Sequence, residues 1–166
     1  MACVLHVGCG GDTLPDWMGD AEEVRLDIDP STNPHIVASM TDMGDIGEFD
    51  AVACFHSLEH LYPHQVGQAL SEFRRVLKPG GYVAIVVPDL EDVRPTEDVV
   101  YVGPAGPITG LDMYYGFRPM LQERPSMAHR TGFVRDTLDG ALQAAGFTRT
   151  NCKRLAHFNL MGVAVK

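Results

Sequence analysis

Apolar residues along this chain follow two alternating rhythms. Short continuous runs, "CVLHV" at Cys3–Val7, "FDAVACF" at Phe49–Phe55 and "YVAIVV" at Tyr82–Val87, have the length of strands covered on two faces. "EVRLDID" at Glu23–Asp29 reads as a further strand ended by Pro30, and "HIVA" at His35–Ala38 as a weak one. A short helix fits between the first two strands. After Pro63 the rhythm changes: Val66, Leu70, Phe73 and Leu77 recur at helical spacing, and Pro79, Gly80 and Gly81 predict a turn that stops the helix. Leu138, Ala141, Leu142 and Ala145 predict a second crossover helix, with Gly146 where a left-handed cap is needed. Two closing strands, "FTRTNCKRL" and "FNLMGVAVK", are too close in sequence for a crossover and must pair as an antiparallel hairpin.

The alternation predicts the α/β class: a Rossmann-like, doubly wound, mostly parallel sheet of about seven strands with a C-terminal antiparallel hairpin. At 166 residues one domain is expected, spanning residues 1–166. Ligands of such a sheet sit at the carboxyl ends of its strands. The segment from about 88 to 131 has little periodicity and six of the eleven prolines, so it reads as a lid or substrate-binding segment.

Composition narrows the partners. A net charge of -9 opposes a phosphate backbone, which excludes duplex nucleic acid as an expected partner. The longest apolar run, Tyr82–Val87, falls far short of the ~20 residues of a membrane span. The N-terminus runs directly into a core strand without a basic leader, so a cytoplasmic protein is expected. Cys3, Cys9, Cys54 and Cys152 form no CxxC pair, and reduced thiols are expected. Arg118, Arg124, Arg130 and Arg135 make one local basic cluster, either a solvated face or an attraction for an anionic substrate.

Two features carry candidate chemistry. "HVGCGGDTLP" follows the first strand, and its glycines at 8, 10 and 11 let the backbone turn sharply and approach a ligand. Thr13 stands where the dinucleotide fingerprint would have its third glycine, which breaks that fingerprint. Asp27, near the end of the second strand, stands where a carboxylate accepts hydrogen bonds from a ribose; Asp29, on the same strand face, competes for that role or caps the loop. Separately, "HSLEH" at His56–His60 has the HxxEH spacing of certain zinc peptidases. His56 directly follows a strand and Pro63 follows His60 by three residues, so the long helix of those enzymes cannot form. His64, Glu72 and His129 are available as a third ligand, but no second motif supplies one, and no metal is expected. Glu59 and His60 then read as buried or capping groups, and His56 as pointing toward the cleft.

Taken together, "HVGCGGD", "VRLDIDP", "ASMTDM", "FDAVACFHSLEHL", "FRRVLKPGGYVAIVVPD" and the terminal "AAGF" helix with two strands resemble the class I S-adenosylmethionine-dependent methyltransferases, in their compact, type 11-like subgroup. The resemblance covers nearly the whole chain outside Pro88–Thr131. It implies S-adenosylmethionine as cofactor and S-adenosylhomocysteine as product. Gly8, Cys9 and Gly10 would pass under the methionine part, Asp27 with Ile28 beside it would hold the ribose, Ser39, Met40 and Thr41 would flank the adenine, and Phe55 with His56 would edge the cofactor. The chain departs from the family pattern at His6, where an acidic residue is usual, at Asp12 in place of the last glycine of the turn, and at Ser39, where an acidic residue is usual. Asp12 either takes the ammonium contact or caps the first helix.

Methyl transfer is mainly a matter of alignment, since the sulfonium is already an activated leaving group. A small-molecule acceptor is expected, and an oxygen or nitrogen acceptor would gain from a base, for which His56, Asp89 and His129 are the candidates by position. Tyr114 and Tyr115 either stack on an acceptor or anchor the lid. The chain starts at strand one, so the lid or a partner subunit, as in a homodimer, is expected to exclude water. The alternatives are a noncatalytic S-adenosylmethionine-binding module and a nicotinamide-dependent oxidoreductase.

Overall fold

The computed structural model describes residues 1–166. In chain order its elements are β1 (Cys3–Val7), β2 (Glu22–Asp27), β3 (Ile36–Val37), β4 (Phe49–Phe55), α1 (Pro63–Arg75), β5 (Leu77–Pro88), β6 (Val99–Gly103), β7 (Gly106–Thr109), α2 (Gly110–Tyr115), α3 (Arg118–Leu121), α4 (Arg135–Ala144), β8 (Thr148–Leu155) and β9 (Asn159–Val165). Seven strands form one sheet in the order β3-β2-β1-β4-β5-β9-β8, in which β9 alone runs against the others. The order reverses between β1 and β4, and a crevice opens at the strands' carboxyl ends where connections diverge. This is the mixed α/β architecture that the alternation predicts.

Burial explains the apolar runs. In β4 every residue except Asp50 and Phe55 is buried, as befits a strand flanked by β1 and β5. Val66, Ala69, Leu70 and Phe73 of α1 and Leu138 and Leu142 of α4 join Leu5, Val52, Ile85 and Leu160 in one core. Both long helices therefore lie on the same side of the sheet, and they touch each other. Tyr62 N–H is satisfied by the Gln65 side chain, which starts α1 at Pro63 as the sequence predicts.

Three local expectations differ. No α-helix joins β1 to β2; a single 3-10 turn at Asp16–Met18 does, because Pro15 and the left-handed Gly19 bracket too few residues for helical hydrogen bonding. On the other side of the sheet this connection packs through Leu14, Met18 and Ala21 against Val4, Ala51 and Ala53. "KPGG" lies inside the start of β5, not in a free turn: the register with β4 shifts between Phe49 and Ala51, and a Cβ at Gly81 would lie 2.9 Å from the Asp50 carbonyl. The segment 88–131 is not structureless; it folds into the β6–β7 hairpin, α2 and α3 around Val93, Ile108 and Met113. No helix is long and apolar enough to cross a membrane.

Candidate functional site

The turn after β1 is held from below by β2. Gly8 and Gly10 both have positive φ, 64° and 51°. Gly10 N–H donates to Asp27 Oδ2 at 2.7 Å, and Asp29 N–H donates to Asp27 Oδ1 at 2.9 Å, so one carboxylate ties the turn to the end of β2. Asp27 is 8% exposed, and each oxygen retains a second lone pair. The Arg25 guanidinium donates to Gly10 O at 2.6 Å, closing the underside. The Cys9 thiol is buried, and that burial pushes its pKa up against the pull of Arg25, so only its backbone is offered to a ligand. His6 is buried and pairs with Glu23 at 2.7 Å, which engages it away from the role of the family's acidic residue. Asp12 is exposed and has no helix to cap.

Around this turn lie the other residues expected at the cofactor. Ile28 is 70% exposed beside Asp27, an unusual setting for so large an apolar side chain. Ser39 and Thr41 hydroxyls meet at 2.8 Å, and Met40 reaches back to Gly8, its Cε 3.6 Å from where a Cβ there would sit. Phe55 packs between His6 and Trp17 with its ring tilted 57° to each, at ring separations of 5.7 and 5.8 Å.

A second feature adjoins it at the carboxyl ends of β4 and β5. His56 leaves β4 with φ 49°, a left-handed conformation that costs energy in a non-glycine residue, while its N–H still bonds Val86 O at 2.8 Å. It opens a cavity of about 190 Å³ roofed by the lid, with Glu59, His60, His129 and Phe158 among the lining residues. Phe158 is also left-handed, φ 54°, so two strained residues face the same space. Burial lowers the His56 pKa, but the Glu59 carboxylate beside it, with Asn159 and Asp12, more than reverses this, and the net shift is upward. His129 is shifted downward by burial.

The remaining candidates are occupied elsewhere. Asp89 is 2% exposed, accepts from the Arg154 guanidinium through Oδ2 and from Glu91 N–H at 3.1 Å, and does not line the cavity. Tyr114 donates to Val93 O at 2.9 Å and anchors the lid; Tyr115 is 56% exposed. Two of the four arginines in the basic cluster are ion-paired, Arg118 with Glu97 and Asp112 and Arg135 with Asp136, and Arg130 lies over the Tyr62 ring.

Residues 5–85, the span from β1 into β5 that carries the glycine-turn rim and the His56–His60 wall of the cavity, match the family model described as a methyltransferase domain. Over that span, just under half of its length, the chain is similar to methyltransferase domains. Among curated proteins, one from Mycolicibacterium smegmatis, named a probable S-adenosylmethionine-dependent methyltransferase, is 27% identical over 164 residues, covering 90% of this chain and 59% of its own. The chain thus spans 59% of the length of that relative. Solved structures share the fold: a S-adenosylmethionine-dependent methyltransferase from Mesorhizobium loti has TM-score 0.70 at 12% identity, covering 99% of this chain and 91% of that one. One from Archaeoglobus fulgidus has TM-score 0.68 at 15% identity, covering 99% and 86%.

The structure gathers Gly8, Cys9, Gly10, Asp27, Ile28, Met40 and Phe55 along one rim and His56 and His129 along the adjoining cavity. One participant escapes sequence reasoning, and one grouping that the sequence leaves open is closed by the fold. Ser57 Oγ donates to Gly8 O at 2.9 Å and to Phe55 O at 3.2 Å, stitching the glycine turn to the end of β4. Glu59, His60 and His129 bring ligand atoms within 4.8 Å of one another, although HxxEH forms only a 3-10 turn at Leu58–His60. Ser57 had no motif signal, and His129 lies 69 residues beyond His60, with only the lid's fold to join them.

Proposed function

We propose that this chain binds S-adenosylmethionine on the rim formed by the glycine turn and Asp27, and transfers its methyl group to a small-molecule acceptor held in the cavity beneath the lid. The observation that carries the reading is adjacency: Ser57 joins the glycine turn directly to the strand end from which His56 enters the cavity. The rim suits the cofactor. A Cβ at Gly10 would meet nothing within 4 Å, so the backbone there is open to close approach. The free lone pairs of Asp27 suit ribose hydroxyls, charge-assisted bonds of about 1.5–3 kcal/mol each. The bare Ile28 side chain, with Met40 and the Ser39–Thr41 hydroxyls, offers an apolar face and a polar edge to adenine.

When bound, the cofactor supplies an electrophilic methyl on a positively charged sulfur. The chain's own task is to align and desolvate: the turn fixes one reactant, the lid encloses the other, and Phe55 separates them from the open side of the sheet. The acceptor atom forms its bond to carbon as the carbon–sulfur bond breaks and sulfur keeps the electron pair. His56, whose affinity for protons Glu59 raises, is placed to take the proton an oxygen or nitrogen acceptor gives up. Asp89 fixes β8 to the end of β5 through Arg154 and takes no part in proton transfer. Titration calorimetry with S-adenosylhomocysteine tests the reading. One site is expected, weakened about tenfold or more in Asp27→Asn; absence of binding to the wild-type chain removes the proposal.

A further inference from the structure

The cavity wall holds a constellation that methyl transfer as described draws on only through the pull of Glu59 on His56. Glu59 is 2% exposed, and its Oε2 is shut away from solvent without any hydrogen-bond partner; Oε1 lies 3.6 Å from His56 Nδ1. A buried carboxylate oxygen left this way is unfavourable unless a cation pairs it. Two imidazoles stand beside it, with ring centroids of His60 and His129 5.2 Å apart. His60 Nδ1 lies 3.1 Å from Ala128 O, and His129 Nδ1 lies 2.9 Å from Met113 O. A carbonyl can only accept, so each Nδ1 carries the hydrogen, and Nε2 is left on each ring as the lone pair. Ring orientation by a backbone carbonyl on the far nitrogen is the usual support of metal-binding histidines.

The two segments that bring these groups together are fastened before any ligand arrives. Arg130 and Thr131 N–H groups donate to Glu59 O at 2.8 and 3.1 Å, and the Arg130 side chain donates to His60 O at 2.7 Å. Ligand atoms of the three side chains all lie within 4.8 Å of one another. Metal–ligand bonds of about 2.1 Å in a tetrahedral site set ligands about 3.4 Å apart, so closure needs only side-chain rotation. Two neutral imidazoles and one carboxylate suit zinc and its first-row neighbours and exclude calcium and magnesium as preferred ions.

We propose that Glu59, His60 and His129 form a divalent transition-metal site in the wall of the lid cavity. Three protein ligands leave coordination open toward that space, where an oxygen-bearing molecule can bind and become more acidic. Use of the ion in acceptor activation rests on the methyl-transfer reading; its binding does not. His56 is not a ligand; beside Glu59 Oε1, it stays available for the proton of a bound hydroxyl.

Chelator-stripped full chain is titrated with Zn²⁺ by calorimetry and with Co²⁺ by visible absorption. One ion per chain is expected, with low-coordinate cobalt bands. His129→Ala and the isosteric Glu59→Gln are each expected to weaken binding about tenfold or more, with circular dichroism unchanged. His129→Gln repeats the measurement should either variant fail to fold. No binding of either ion, or equal affinity in folded variants, overturns the site. S-adenosylhomocysteine binding is measured on the same samples: its loss with zinc binding kept removes methyl transfer and leaves the metal site standing, and the reverse removes the metal site alone.

Discussion

A methyl group added at Gly8 would lie 2.4 Å from Ser57 Oγ and 2.6 Å from its Cβ, on a residue already at φ 64°. Gly8→Ala is therefore expected to destabilise the fold by about 2 kcal/mol or more, from left-handed strain and overpacking together. Urea denaturation measures this, and Ser57→Gly in the same chain should recover the packing part while leaving the backbone part. The glycine itself is legible in the sequence, because a turn after a strand calls for it. The reason for it is not, since Ser57 lies 49 residues away. The same contrast separates Asp27 from Asp89. Asp27 is readable from its distance to the turn, and its carboxylate does reach Gly10; Asp89 stands where a base is expected, and its partner Arg154 sits 65 residues on, with no local pattern to announce it.

At the level of elements, the lid has a titratable clasp. Asp112 begins α2 and is 5% exposed; burial alone would raise its pKa, but bonds from the Thr109 hydroxyl and amide and from the Arg118 guanidinium and amide outweigh this and bring it down to about 2. A carboxylate depressed from an unfolded value of about 3.9 stabilises fully above that pH and loses its contribution as pH falls toward 2. Near-ultraviolet circular dichroism of the lid tyrosines should thus decline between pH 4 and 2, and Asp112→Asn should remove that part of the change. Strands and long helices were legible because their burial imposes period and length: β4 begins and ends where its apolar run does, and α1 starts at Pro63. The lid was not, because proline and glycine suppress periodicity whether a segment is loose or, as here, folded on Val93, Ile108 and Met113. The expected helix after the turn fails for the converse reason: the alternation of elements leaves room for it, while Pro15 and Gly19 forbid it.

For the whole molecule, a ligand that binds only the folded state adds RT ln(1 + [L]/Kd), about 2.7 kcal/mol at a hundredfold excess over Kd. For a chain of this size that is about 5–10 °C in Tm. S-adenosylhomocysteine is expected to give such a shift and NADH none; a shift with NADH alone would return the oxidoreductase reading. Phe55 to His60 serve both ligand sites at once. Ser57 grips the turn that would cradle one ligand, while His56, Glu59 and His60 wall the space for the other. Retargeting toward a new acceptor consequently has little latitude in that stretch, where each exchange would also be felt as a change in cofactor affinity. Tyr101, Ile108 and Met120 line the same space from elements with no hydrogen bond to the glycine turn, and there selectivity can drift without cost to the other half of the reaction.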